Sequence, residues 1–525
     1  MKITFSDPVY GQNFFARDEI LGLIHKRISS FASGYRQNVA LLGPPFMGKT
    51  SILYQLLHQW THRNITPVYF EIREESPLHF AERFMTALLC RTPKEKNDQD
   101  NPFSNIYETV KNSLNQGRHQ EGFMRLLDLV DLYVAGSRNP CVLILDEFHL
   151  LQDILGPNTF ATLGKKIIIQ KQVMYLVASS AINKAKEILQ TRLDLLFGQF
   201  ETVMVGPFST ATAGEFLQSR LGNSLTKPYQ TFLITVSGGN PFYLDVFSRH
   251  LQTIQSLIPA DSLIETFQAT LFDSQGILFQ YFFHLISRLK TRFETDLVLR
   301  ILLMLAKGIH EIQNIIAASG VSRNSAHSAL KLIIGETLAI KKGSFYFCVD
   351  RLFSFWLRSV YHQKIVSSGV DFQIQGDQFQ QEMTNWIQQF LQENQKSLHE
   401  KVANLLQSFD NDLFEFRGKN FRLPHFQKIE FQVNGTVPHV VAHLPNSKKW
   451  NWIIHQDFLT EQDITQLNQV KDKEKQQIQR QIVLALKGID PNADLLAKET
   501  NIWTWNLEEL NLIMEAYGKQ NLIVS

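Results

Sequence analysis

The stretch LLGPPFMGKTSIL, Leu41 to Leu53, decides how this chain is read. Gly43, Gly48, Lys49 and Thr50 fit the spacing G-x-x-x-x-G-K-[ST], with the apolar run NVALLG ahead of it and a helix-forming run behind. A loop of that kind turns its backbone N–H groups inward around phosphate oxygens, and glycine is needed where a side chain would obstruct them. The segment Gly43, Pro44, Pro45, Phe46, Met47, Gly48, Lys49, Thr50 and Ser51 is therefore the candidate nucleotide cradle. Lys49 is expected to reach the β- and γ-phosphates and the Thr50 hydroxyl to ligate Mg²⁺. The helix starting near Lys49 offers its N-terminal dipole to the same anion. The motif alone does not separate an ATP-driven engine from a nucleotide-held switch.

A second motif points the same way. CVLILDEFHLL carries an apolar run into Asp146 and Glu147, so two carboxylates are expected at the end of a buried strand. The first is assigned to the metal and the second to polarising the attacking water, with Lys49, Asp146 and Glu147 as the catalytic set and Thr50 and Asp146 as metal ligands. At the end of the next strand, Ser179 or Ser180 in YLVASSA is placed to feel the γ-phosphate.

Working outward, five strand-like runs, NVALLG, TPVYFEI, CVLILDE, QVMYLVASS and FETVMVGPF, alternate with helical patterns. That is how a parallel sheet covered by helices reads. The polar tract TPKEKNDQDNPF interrupts the region between the second and third runs as an exposed loop. Helical periodicity starts near Ser209, and SGGNPFYLDVFSRHL places a turn directly before an amphipathic helix, which suggests a helical lid. DLVLRILLMLAKG, HEIQNIIAASG and SRNSAHSALKLIIG are three short helices, and LAIKKGSFYFCV is a hairpin around Lys342 and Gly343: a winged helix-turn-helix pattern. Asp350 is placed to cap a helix with Phe353, Trp356 and Leu357 on one face.

The 525 residues are enough for several domains with ordinary cores, at 44% hydrophobic content. Lys plus Arg at 52 against Asp plus Glu at 50 gives a net charge of +2, which excludes a global field drawing the chain onto nucleic acid or anionic membrane. Cys90, Cys141 and Cys348 lack metal-ligand spacing and fit a reducing cytosol as small buried hydrophobes. The opening MKITFSDPVYGQNFF is not a secretory leader, and LVLRILLMLAKG is too short to cross a bilayer. A soluble cytoplasmic protein is expected.

With these motifs in place, the chain resembles the AAA+/STAND-type P-loop ATPases, and within them the archaeal-type ATPases also found in bacteria. The resemblance runs through FFARDEI, the phosphate loop, the Asp-Glu strand, the GPF segment, GGNPFYL, the winged helix and a C-terminal nuclease-like region. It implies an α/β P-loop NTPase fold with an AAA+-like parallel sheet and helical lid, then a winged helix and an α+β restriction-endonuclease-like domain. The implied limits are an ATPase core at 1–208, a lid at 209–290, a winged helix at 291–362, a linker at 363–385 and a degenerate PD-(D/E)xK-like domain at 386–525. Carried over by residue, Phe15, Ala16 and Arg17 would lie against the adenine, with Ala16 where the family usually has glycine, while Phe14 and Phe15 serve equally as core staples. Pro241 would lie near the base or ribose. The family commonly carries an arginine where this chain has Gln199, with Arg192 the nearest substitute. ATP or ADP and Mg²⁺ are the implied cofactors, and turnover that is slow or needs a partner's arginine is the implied consequence.

In a DNA reader, Arg323, Asn324, His327 and Lys331 would face the major groove, with Lys341 and Lys342 on phosphate. The neutral charge instead favours a rigid relay to a protein partner through the winged helix or the C-terminal domain, with DNA as the alternative partner. The nuclease-like region keeps Glu400 but has His439, His455 and Asp457 near where the resemblance expects the acids and lysine, which implies lost nuclease activity. The expected function is an ATP-binding, slowly hydrolysing intracellular switch; the alternative is a DNA-binding, initiator-like regulatory ATPase.

Overall fold

The computed structural model describes residues 5–89, 102–137, 139–193, 200–222, 224–254, 259–293, 296–366, 372–416, 419–434, 437–473, 477–519 and 522. They divide into two compact units, 1–208 with 240–242, and 209–239 with 243–525. Cys90 and Gln199 lie outside the described residues, as do positions 92–101 of the polar tract and the side chain of Arg192. The end of that tract enters a helix, Pro102–Asn115.

The first unit is built on β1 (Asn38–Leu42), β2 (Thr66–Glu71), β3 (Cys141–Asp146), β4 (Val173–Ser179) and β5 (Phe200–Met204). These are the five runs read as strands. They pair in the order β2-β3-β4-β1-β5, every pair parallel. β1, β3 and β4 are buried along their whole length, because helices cover both faces and alternation then serves two cores rather than one. Ala40, Leu42, Leu143, Leu145 and Val177 enter one core, with Phe80, Phe84, Leu126 and Phe160 from the helices over it. Val39, Leu41, Val142, Ile144 and Leu176 enter the other. There they meet Leu21, Ile24 and Ile28 of α1 (Asp18–Ala32) and Ile52, Leu53 and Leu56 of α2 (Lys49–His58). Arg27 of α1 forks onto Glu201 of β5 at 2.6 and 3.1 Å and fixes α1 against the sheet edge. The strand order sets the C-terminal ends of β3, β4 and β1 side by side, the place where open parallel sheets bind ligands.

The second unit begins with helices Thr210–Leu221 and Lys227–Ser237. Phe232 meets Trp386 and Phe390 edge-on at 5.4 and 5.2 Å. Residues 363–385, expected as a linker, instead contain the end of a π-helix, Leu357–Val366, and the first half of a 24-residue helix, Phe372–Gln395. The reason is visible in hindsight: Phe379, Met383, Ile387 and Phe390 recur at helical spacing and are buried, and glutamine is a good helix former between them. Helices Asp296–Ala306, Ile312–Ser319 and Arg323–Gly335 precede an antiparallel hairpin, β6 (Ala339–Lys342) and β7 (Phe345–Cys348). Asp350 caps helix Arg351–Trp356 by accepting from Phe353 N at 3.0 Å, and it also accepts from the Tyr243 hydroxyl.

The hairpin tip is fastened within this unit. Ser344 donates its N–H and hydroxyl to Leu413 O, at 3.3 and 3.0 Å, on β8 (Asp412–Phe416), which pairs with β9 (Lys419–Leu423). A Cβ on Gly343 would stand 2.5 Å from the same carbonyl oxygen. Phe345 and Phe347 enter a common core with Leu406 and Phe414. The remaining sheet comprises β10 (Lys428–Asn434), β11 (Val437–His443), β12 (Lys449–His455), β13 (Ile478–Ala485) and β14 (Ile502–Asn506), in that order. Its first three strands are antiparallel and its last three parallel.

Candidate functional site

The loop after β1 is shaped by its neighbour. β5 runs so close that a Cβ on Gly43 would stand 2.1 Å from Val205 O, a separation no side chain tolerates. Phe46 and Gly48 adopt left-handed backbone, φ 61° and 88°, which turns the loop into the start of α2. The Lys49 ammonium is buried and donates to Gly43 O at 2.9 Å and Pro44 O at 2.8 Å. Burial lowers its pKa, against the opposing charges of Glu147 and Asp146. The Ser51 hydroxyl accepts from Val9 N at 3.1 Å and ties the N-terminal segment to α2.

Thr50 and Asp146 meet at 2.7 Å, the hydroxyl donating to Asp146 Oδ2, which also accepts from the Tyr69 hydroxyl at 3.2 Å. Asp146 Oδ1 accepts from Glu147 N at 3.0 Å. The Asp146 carboxyl is buried and pushed up to about 6, first by burial and then by Glu147 beside it. Glu147 moves the other way. Burial works to raise it, but the hydrogen bond from His149, the charge of Lys49 and the Ser180 N–H outweigh burial and hold it below the ordinary carboxylate range.

Glu147 itself has φ 54°, a left-handed conformation that costs a residue with a Cβ about 1–2 kcal/mol. Its Oε2 accepts from Ser180 N at 2.9 Å and from the Ser180 hydroxyl at 2.8 Å. The neighbouring Ser179 is fully buried, with its Oγ 2.9 Å from His149 Nδ1 and accepting from Ala181 N at 3.1 Å. Of the two serines, Ser180 is therefore the one against the carboxylate.

On another side of the loop, Arg17 donates to Gly206 O and, at 3.4 Å, to Met47 O, with its guanidinium 4.8 Å from the Phe208 ring. Phe15 packs edge-on against the same ring at 6.1 Å. Ala16 and Arg17 are both left-handed, φ 57° and 73°, a conformation that glycine adopts without the strain a Cβ brings. Phe14 packs on the core of the α1 face. Phe46 stacks on Phe242 at 4.5 Å, the residue after Pro241, so the segment 240–242 lies against the loop. Sequence reasoning missed Tyr69, His149 and this stack. Only the DEFH spacing hinted at His149, and the partners of the others are far apart in the chain.

The remaining candidates do not converge on a second centre. Glu400 is the N3 partner of Ser397 in a capping box. His439 pairs directly across from Ile453, His455 stands 3.7 Å from Asp463, and Asp457 pairs with Lys487 at 3.1 Å. Among the described residues no group of three His, Cys, Asp or Glu is placed to hold a metal. Arg323, Asn324, His327 and Lys331 are exposed along one helix. No described helix is long and apolar enough to cross a membrane.

An all-parallel sheet in this order, with a G-x-x-x-x-G-K-T loop after β1 and Asp-Glu at the end of β3, is a P-loop nucleotide-binding fold. No protein-family profile and no curated protein matches the chain. Solved structures similar to it include the Walker-type ATPase of Pyrococcus abyssi, at 15% identity and a TM-score of 0.48 over 66% of this chain and 97% of that one. The ORC2 protein of Aeropyrum pernix, in ADPNP–ADP complexes, gives 13% and 0.46 over 72% and 98%. A STAND protein with a tetratricopeptide repeat sensor from Pyrococcus horikoshii gives 13% and 0.30 over 77% and 51%.

Proposed function

We propose that the chain is an ATP-binding, slowly hydrolysing AAA+/STAND-like ATPase that serves as an intracellular nucleotide-dependent switch. The observation that carries this reading is the contact of Thr50 with Asp146 at 2.7 Å, at the end of the sheet that also presents Lys49 and Glu147. A hydroxyl and a carboxylate at that spacing are a donor set that suits Mg²⁺. The Gly43–Ser51 backbone and Lys49 take the phosphates, Lys49 exchanging two loop carbonyls for phosphate oxygens. Bound at Thr50 and Asp146, Mg²⁺ would neutralise phosphate charge. Glu147 holds the attacking water. Phe15, Arg17 and Pro241 flank the base, a role supported by the packing of Phe15 and Arg17 on Phe208 and of Phe46 on Phe242.

The slow turnover proposed rests on glutamine at position 199, where the family this chain resembles commonly carries an arginine. Residues 209–290 act as lid, 291–362 as winged helix and 386–525 as a nuclease-like domain without nuclease activity, docking a protein partner. The tie between Ser344 and Leu413 supports a relay over a DNA-reading wing, since the tip is committed to β8. Salt-sensitive duplex binding that weakens on charge removal at Arg323 and Lys331 would favour the DNA reading instead. Lys49→Ala should abolish ATP binding; retained affinity for labelled ATP in that variant would sink the assignment.

A further inference from the structure

The Asp-Glu strand is followed by a histidine that the proposed ATPase reading does not use. Because Glu147 is left-handed, the chain reverses at once into the short turn Phe148–Leu150, and that reversal brings the ring two residues on back over the glutamate's own carboxylate. His149 Nδ1 lies 3.3 Å from Glu147 Oε2 and 2.9 Å from Ser179 Oγ, and the side chain is only 10% exposed. An ionised carboxylate can only accept, so its contact with the ring favours the tautomer carrying the proton on Nδ1. Ser180 adds its N–H and hydroxyl to the same oxygen. The two Ser180 donors and the His149 ring thus converge on one atom of a strained residue, and strain of this kind persists only where the surroundings over-determine it.

We propose that His149 is a positioning residue that, with Ser180, fixes the Glu147 carboxylate for its work on the attacking water. The inference rests on the proposed role of Glu147. In this role His149 acts through the carboxylate, as the third group of a base-and-orienter pair does. Losing its donor frees the carboxylate to wander, and a misplacement of about 1 Å in such a group lowers a rate by up to about a hundredfold.

The test compares ATP binding and steady-state turnover in the full-length wild type, Glu147→Gln, His149→Leu and His149→Asn. The leucine fills the ring's volume without a donor, and the asparagine amide restores a donor near the position of Nδ1. The expected result is a kcat lowered about tenfold or more in His149→Leu at unchanged ATP affinity, with His149→Asn recovering most of the loss. Unchanged or raised kcat in His149→Leu, or an asparagine variant as slow as the leucine one, overturns the proposal. If the leucine variant does not bind nucleotide, His149→Ala takes its place under the same criteria. Wild-type turnover that survives Glu147→Gln would instead overturn the role of Glu147 itself, so the two failures are distinguishable.

Discussion

At the scale of single residues, the site depends on backbone conformations that most side chains avoid. Ala16 is one of them, at φ 57°. Ala16→Gly should relieve the left-handed strain at a smaller cost in unfolded-chain entropy, a net stabilisation of at most about 1 kcal/mol, seen as a raised midpoint in thermal unfolding. A lowered midpoint would show that the alanine methyl is packed usefully. Asp146 gives a pH prediction. Its folded pKa of about 6 lies above the ordinary 3.8, so its protonated form favours the fold. That contribution is complete below the ordinary value and is lost as pH rises through about 6. Metal needs the carboxylate, so the Mg²⁺ concentration for half-maximal nucleotide binding should fall as pH rises through about 6 and level off above it. A flat profile would contradict the shift. Lys49, Thr50 and Asp146 were legible in sequence because their geometry is set within one short loop and one strand end. The fold-back of His149 was not, since it follows from the φ of Glu147, and the hydroxyl of Tyr69 arrives from a strand 77 residues away.

Elements carry the next level of argument. The central strands β1, β3 and β4 were readable as apolar runs because helices cover both of their faces, while β2 and β5 at the sheet edges are only partly buried. The order of the five was not readable, since periodicity says nothing of which strand lies beside which. The contact that follows from the order is testable. Gly43→Ala would drive a methyl into Val205 O and should lower both stability and nucleotide affinity, by about 1–3 kcal/mol in unfolding free energy. Denaturant midpoints measure it, and an unchanged midpoint would refute the close approach. In the second unit, Asn506 and Glu509 form a capping box at the head of helix Leu507–Ala516. Asn506→Ala should cost about 1 kcal/mol by the same assay. Within residues 363–385, expected as a linker, Phe379 and Met383 are buried and continue at helical spacing into Ile387 and Phe390.

For the whole molecule, the account is of a nucleotide site whose loop touches the segment 240–242 and whose downstream hairpin is fastened to β8. On the proposed reading, such a chain would change state with the nucleotide it holds, with turnover secondary. Nucleotide at about 100 times its dissociation constant should stabilise the protein by about 2.7 kcal/mol, in wild type and in Glu147→Gln alike, while Lys49→Ala gains nothing. The most direct single measurement is the nucleotide content of the purified protein, wild type beside Lys49→Ala, each released by denaturation and identified by chromatography. The account predicts ADP or ATP near one per chain in wild type and none in the variant. Equal content in both, or none in wild type even after incubation with ATP and Mg²⁺, would contradict it.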